Sequence, residues 1–540
     1  MKLTTKKMLK SILSLVLVLS LLVGCSMMFV GCSSSKDGSG ETQAENPKHD
    51  PSQYEGLNDK EYLQLLGYNY LSDATEILAK AYNAYTGKGS SSAGAKVDMT
   101  LTLGDPVLDM LEDAAGGSMD FGFLSKVNMS MDVGTKDQLT QTTMALGLNS
   151  KDIITINVLM DMANYAAYVG VPELNSTYIK ADMTSFLASS GADIESMAGA
   201  INQLSGALPS GEELATIMNR YIKIALAELD DVKRTASTLK VNGVSQECGK
   251  MTVKIDNEDL LDIGEKVITE LKKDQDVKKI IQNMAKTLSE IAGENLDADT
   301  VYDQYLEAMD NALDEIAENR NNTDTERYIE LVVYLDEVHS IIGISLGEGN
   351  GEEPVMYYYT ATDGEKTAME MVINGFAAVD MNGNVQKGEP ALEVSGTGTT
   401  KNGKSSGTYT VKTNGTEILT VETKDMTAES GTITLKFSDV VTEGTLSQLP
   451  FDDISLQIKL QKDGIEINAM SGSKKLVGIS MTVKESSIGS VKLPTNYVDA
   501  TDSNALMDWV NDAKFDTLIS NLKRAGVPSE LTDMLEMYLG

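Results

Sequence analysis

Cysteine is nearly missing from this chain of 540 residues: there are three, Cys25, Cys32 and Cys248. Two fall within the first 32 residues, so Cys248 stands alone in the body and no disulfide framework can form. The body must therefore rest on its own apolar core, which a chain of this length can build. Histidine is scarcer still, with only His49 and His339. They stand far apart and unaccompanied, which argues against a histidine-based zinc site or triad. His339, in Glu337-Val338-His339-Ser340, is expected in a turn between two strands. Basic side chains are few, 45 against 80 acidic ones, for a net charge of −35. A surface of that sign repels phosphates and anionic headgroups, so nucleic acid is excluded as a partner of the body. The sequence also has no phosphate loop, dinucleotide fingerprint, Gly-x-Ser-x-Gly or His-Glu-x-x-His pattern.

Acidic residues are plentiful, but their clusters carry no recognisable chemistry. Asp297-Ala298-Asp299 and Asp380-Met381-Asn382-Gly383-Asn384 space oxygens like a calcium loop, yet neither completes the pattern with the later glutamate. Asp299 is expected to cap the helix that follows it. Pairs such as Glu352-Glu353 and Asp452-Asp453 arise by abundance alone. Cys248 follows Glu247, which would raise its thiol pKa rather than lower it. No metal, no cofactor and no enzymatic activity are expected.

The positive signal begins at the N-terminus. Lys2, Lys6, Lys7 and Lys10 precede an apolar run over 12–23, the form of an export signal. Loss of those four lysines leaves a mature chain at −39. Leu22-Val23-Gly24-Cys25 resembles the lipobox of bacterial lipoproteins. That resemblance implies a signal peptide over 1–24, acylation of Cys25, and a membrane anchor on the outer face of the cytoplasmic membrane. Phe29-Val30-Gly31-Cys32 repeats the pattern and makes Cys32 the alternative. Leucine three places before Cys25, and the length of the preceding run, favour the first site. The serine- and glycine-rich stretch directly after Cys32 favours the second. Residues 25–57 read as a flexible tether.

Order begins near Asp59, with a helical period through residue 84. From Lys96 the period changes to two. Val97, Met99, Leu101 and Leu103 alternate with polar residues, as do Val127, Met129, Met131 and Val133. Further strands are expected over 141–148, 153–160 and 165–169, making an antiparallel meander with one apolar face. Helices are expected over 183–201 and 212–229, the latter opened by a capping sequence at Ser210 to Glu213. Strands at 238–241 and 250–255 flank Asn242-Gly243. A clear amphipathic helix starts at Asp276, with Val277, Ile280, Ile281 and Met284 on its stripe, and another spans 299–317. Strands then dominate until about residue 492, several joined by Asn-Gly turns. Helices over 504–524, carrying Trp509, and 530–538 close the chain.

This pattern predicts an α+β fold: a curved, half-barrel-like antiparallel sheet with helical insertions and C-terminal helices. Two lobes are expected, 57–325 and 326–540. Three segments resemble an uncharacterised family of bacterial surface lipoproteins: Tyr168-Val169-Gly170-Val171-Pro172-Glu173-Leu174, Val241-Asn242-Gly243-Val244 and Ser395-Gly396-Thr397-Gly398. The whole is more loosely similar to lipoprotein-localisation factors, whose incurved half-barrel holds acyl chains. That resemblance implies a hydrophobic or lipid ligand, but it designates no ligand-binding residue. The methionines Met99, Met129, Met131, Met160, Met284 and Met309 suit either a core or an adaptable apolar surface. A surface protein that binds other proteins is the alternative function.

Overall fold

The computed structural model describes residues 50–86, 94–117, 119–136, 139–161, 163–182, 207–292, 297–320, 328–349, 354–374, 390–438, 451 and 453–539. Cys25, Cys32, the helix expected over 183–201, the loop 380–384 and the pair Glu352-Glu353 lie outside them. Two compact units are interleaved in sequence: one takes Met1–Gly89 and Ala200–Ala428, the other Ser90–Gly199 and Glu429–Gly540. The units therefore do not part at 325/326, because the earliest strand of the second unit pairs with one of its last.

The chain opens in the first unit with α1 (Asp59–Thr86). It then crosses to the second for β1 (Ala95–Leu103), α2 (Asp105–Ala114), β2 (Lys126–Lys136), β3 (Leu139–Leu148), β4 (Lys151–Asp161), β5 (Ala166–Val171) and β6 (Asn175–Asp182). Back in the first unit come α3 (Gly211–Ala227), β7 (Val232–Val241), β8 (Val244–Asp256), α4 (Asn257–Leu271), α5 (Gln275–Ala292) and α6 (Ala298–Arg320). There follow β9 (Tyr328–Leu335), β10 (Ile341–Glu348), β11 (Met356–Asp363), β12 (Lys366–Asn374), β13 (Pro390–Lys401), β14 (Lys404–Thr413) and β15 (Thr416–Met426). The second unit ends with β16 (Gly431–Phe437), β17 (Ile454–Gln461), β18 (Gly464–Ser471), β19 (Lys474–Glu485), β20 (Tyr497–Asp499), α7 (Ser503–Asn511), α8 (Phe515–Arg524) and α9 (Ser529–Leu539). The class is α+β, with curved, unclosed and mostly antiparallel sheet structure.

In the first unit, β7 to β15 form an antiparallel meander, each strand paired with the next. Asn242-Gly243, Asn402-Gly403 and Asn414-Gly415 all take positive φ at both positions, the two-residue turn that matches strand twist. Helix α1 starts with a reciprocal cap: Asn58 Oδ1 accepts from Glu61 N at 2.9 Å and Glu61 Oε2 from Asn58 N at 3.0 Å. Its Tyr62, Leu63 and Leu66 cover Met251, Val253, Val333 and Leu335 on the sheet, and all seven are buried. Helix α3 begins with the expected capping box, Ser210 with Glu213, and meets α1 closely. A Cβ on Gly211 would sit 2.3 Å from the Ala79 carbonyl oxygen.

The curvature of this unit is visible in its own contacts. The β7–β8 hairpin folds across β11 and β12, where Asn242 Nδ2 donates to the Met369 carbonyl at 2.9 Å and Thr362 N to Gln246 Oε1 at 2.8 Å. Leu239, Val241, Val244, Ala361 and Ala368 fill the space beneath.

In the second unit the strand order is β16-β17-β18-β19-β1-β2-β3-β4-β5-β6-β20. All these pairs are antiparallel except β6 with β20. Strand β1 joins the early meander to the late one. The C-terminal helices tie to β4 and β6: Trp509 Nε1 donates to the Thr177 carbonyl at 2.7 Å, and Asn521 Nδ2 to the Ile153 carbonyl at 3.1 Å.

Candidate functional site: an apolar sheet face

Side chains alternate along a strand, so the pairing register decides what each face of the second unit's sheet carries. One cross-strand row reads Leu460, Ile465, Met481, Met99, Met129, Leu146, Ile154. The row beside it reads Ile433, Ile458, Ile467, Ile479, Leu101, Val127, Leu148. On the other side lie Val483, Val97, Met131, Met144 and Ile156. No charged residue interrupts these rows. At strand spacings of about 4.8 Å and a two-residue repeat of about 6.8 Å, the 19 positions of these rows cover about 600 Å².

This field is open. Met129 is 47% exposed, Met131 41%, Leu146 43%, Ile479 45% and Val483 49%, and no residue of the three rows is buried. The buried apolar residues of these strands, Ile153, Leu159 and Leu476, point the other way, where Leu159 packs with Ala166, Tyr168 and Val491. There Thr100 Oγ1 donates to Asn128 Oδ1 at 3.2 Å and Thr143 Oγ1 to Asn157 Oδ1 at 2.8 Å. Asp132 is buried on the same side, where it accepts from the Ser486 hydroxyl, the Ser487 hydroxyl and the Ser487 amide. Over β17 to β2 the opposite face carries charged side chains such as Lys459, Lys96 and Asp98, 39%, 35% and 40% exposed, so the two faces differ in chemistry: one is charged and solvated, the other purely apolar. A contiguous apolar patch beyond a few hundred Å² on a soluble surface marks a binding surface.

Six methionines stand on this face, five of them in the three rows. Met99 stands opposite both Met481 and Met129, Met131 stands opposite Met144, and Met160 lies on β4, 40% exposed. Met99, Met129, Met131 and Met160 were singled out by their period in sequence, and the structure brings them to one face. Met481 and Met144 join them through pairings that sequence alone does not reveal. Met284 and Met309 are half-buried on α5 and α6 in the other unit and take no part.

The remaining sequence candidates have structural roles. His339 occupies the turn between β9 and β10 at φ +64°, its Nδ1 2.6 Å from the Tyr62 hydroxyl. Burial pushes its pKa down, while Asp336 pulls the other way. Burial and the neighbouring Tyr54 raise the Tyr62 phenol to about 12. With the Arg234 guanidinium 4.2 Å over the Tyr62 ring and bonded to Asp59 at 2.8 Å, this group clamps α1 to the sheet. The Cys248 thiol is also raised, by burial rather than by the adjacent Glu247. Asp299 does not cap α6. Asp297 does, accepting from Asp299 N at 3.3 Å and Thr300 Oγ1 at 2.8 Å, while Asp299 bonds Gln282. Buried Asp274 accepts from the α5 amides Asp276 N and Val277 N, and also from Tyr221 and Arg220, as a helix cap. Asp453 sits in a turn at φ +50°.

Among the described residues no group of three or more metal-ligating side chains converges, and no helix is long and apolar enough to cross a membrane. A half-open cleft of about 90 Å³ in the first unit is lined by Ile255, Leu260, Tyr328, Ile329 and Glu348. Drug-sized ligand pockets start near 300 Å³, so this cleft is too small for an acyl chain.

No family model matches this chain. No curated protein matches it either. The similar solved structures are remote. A mutant of transferrin binding protein B from Haemophilus parasuis Hp5 is 9% identical over 75% of this chain and 77% of its own, at a TM-score of 0.11. Intact Ap-TbpB, with its N and C lobes, is 10% identical over 73% and 76%, also at 0.11. The CymD monoaromatic hydrocarbon channel is 8% identical over 76% and 90%, at 0.10. Scores of this size carry no conclusion about fold or function.

Proposed function

We propose that this protein is a lipid-anchored extracytoplasmic lipoprotein, without catalytic activity, that holds a hydrophobic or lipid ligand against the open face of its second unit. The anchor is Cys25, or Cys32 in the alternative cleavage, and the location is the outer face of the cytoplasmic membrane. One observation supports the ligand reading: the uncharged, methionine-rich rows over β16 to β4, none of whose residues is buried. Alkyl chains need contact area without directional bonds. Unbranched thioethers adapt to them at little cost. The lipobox supports the anchor, and the net charge of −35 supports a body that stands clear of anionic headgroups.

Native mass spectrometry before and after organic extraction tests this reading. A lipid at reproducible stoichiometry in the wild type, lost in a Met129→Lys/Met131→Lys variant, is the expected result. A protein that stays empty after incubation with envelope lipids overturns it. The openness of the face also favours a second reading, a cell-surface protein that binds other proteins, because a flat field suits a partner's apolar surface as well as it suits chains.

A further inference from the structure

The meander of the first unit begins in an open strand edge. Strand β7 pairs with β8 over ten residue pairs without a bulge, and no other described strand pairs with it. We propose that this edge takes up an extended acidic peptide of a partner protein as an added strand. The inference is independent of the apolar face in the second unit.

The register identifies the free groups. Arg234 N donates to Asp59 Oδ2 at 3.0 Å, so this amide points away from β8. Backbone groups alternate in direction along a strand, so the amides and carbonyls of Ala236, Thr238 and Lys240 point the same way. Among the described residues, none of these three amides has a protein partner. Ala236, Thr238 and Lys240 are exposed on one face and Thr235 on the other, so the edge stands clear on both sides. Proteins usually blunt such an edge with proline, a bulge or a covering element. Residues 235–240 contain no proline and no bulge.

The protein itself shows what suits this edge. The Asp59 carboxylate takes the first outward amide, of Arg234, and the Arg234 Nε at 2.8 Å as well. An acidic side chain is thus already seated at one end of the free stretch.

Charge points to the same partner. Strand β7 holds Lys233, Arg234 and Lys240 and no acid, in a chain where acids outnumber bases 80 to 45. The adjoining acids Asp59, Asp230 and Asp231 are engaged by Arg234, Lys60 and Lys254. Lys233, Lys240 and, on β8, Lys250 form no ion pair among the described residues, and the one exposed acid opposite the free stretch is Glu247. Repulsion from the distant part of the net −35 is screened beyond about 8 Å at physiological salt. On an added strand, main-chain bonds give affinity and alternate side chains give selectivity.

The test uses residues 33–540, which keep both units whole, and the blocked peptide acetyl-Thr-Val-Glu-Val-Glu-Val-Thr-amide. Fluorescence anisotropy of a labelled copy reads binding, and hydrogen exchange followed by mass spectrometry reads the edge. Exchange over 235–240 is expected to slow about tenfold or more at saturation. N-methylation of alternate peptide amides, which blocks one edge of the peptide, is expected to weaken binding about tenfold or more. Lysine in place of both glutamates, or Lys240→Glu in the protein, is expected to weaken it about fivefold. Thr238→Pro removes an outward donor without touching a bond to β8 and is expected to abolish binding. Circular dichroism checks that variant, and if it fails to fold, Lys240→Glu and the N-methylated peptide decide the question.

Unchanged exchange over 235–240 at millimolar peptide overturns the proposal and makes Lys233 and Lys240 guards against strand pairing. Binding indifferent to N-methylation overturns it too, since charge alone would then hold the peptide. Equal binding of the lysine peptide overturns the acidic partner.

Discussion

Both units build a sheet with an apolar face, and they treat it in opposite ways. In the first, Met251 and Val253 lie under α1 and are fully buried. In the second, Met129 and Met131 occupy equivalent alternating positions and remain over 40% exposed. The same strand pattern thus serves a core in one place and a surface in the other. The difference lies in what packs above the strand, which the strand's own residues do not encode.

The sharpest way to break this comparison is truncation. Met251→Ala is expected to cost about 2–5 kcal/mol, the range for a buried side chain that leaves a cavity. Met131→Ala is expected to stay within about 0.5 kcal/mol, as at an open surface. Urea unfolding of both variants measures the contrast, and equal losses would mean that the second face is covered. Next in size is Arg234→Ala, which removes the Asp59 ion pair, a bond to the Leu57 carbonyl and the contact over Tyr62. A loss of about 1–2 kcal/mol is expected in the first unit, with ligand binding unchanged.

Titration separates the units further. Lys475 first, with Lys459 adding, holds Glu466 of the second unit at a pKa of about 2, below its unfolded value. The stability it contributes is present above the ordinary glutamate pKa and disappears as pH falls from there towards 2. Glu466→Gln is expected to flatten that part of the acid-unfolding curve. The smallest effect belongs to His339, whose pKa is lowered by burial. Its contribution is full above the ordinary histidine pKa and declines as pH drops below it, reaching a floor once the folded form is protonated as well. His339→Asn, which tolerates the turn's positive φ, is expected to remove this slope in the first unit alone.

Much of the fold was legible because its signals are local. The period of two marked β1 and β2, Asn-Gly pairs marked three hairpins, and Ser210 with Glu213 marked the start of α3. Helix α2 went unread, although Pro106 at its first turn is a fair start signal. Capping by Asp297 instead of Asp299 is an error of two residues, within the usual uncertainty of a helix end. The candidate site was legible only in fragments. Each apolar set was visible along its strand, but the pairing of Met99 with Met481 joins distant parts of the chain and leaves no local trace. Without it the face reads as a small meander surface rather than one continuous field.

That long-range pairing also governs how the protein is made. Strand β1 emerges early, yet its partner β19 comes after the entire first unit has been synthesised. Loop closure over such a separation is slow, and an unpaired strand edge beside an apolar face invites aggregation while it waits. Export of an unfolded chain to the far side of the membrane would release β1 and β19 into the same compartment before either can mispair. A stop codon ahead of Lys474 would thus leave the first unit with all its strands and the second with β1 deprived of its partner β19; on the proposed export route, the defect would register as poor secretion.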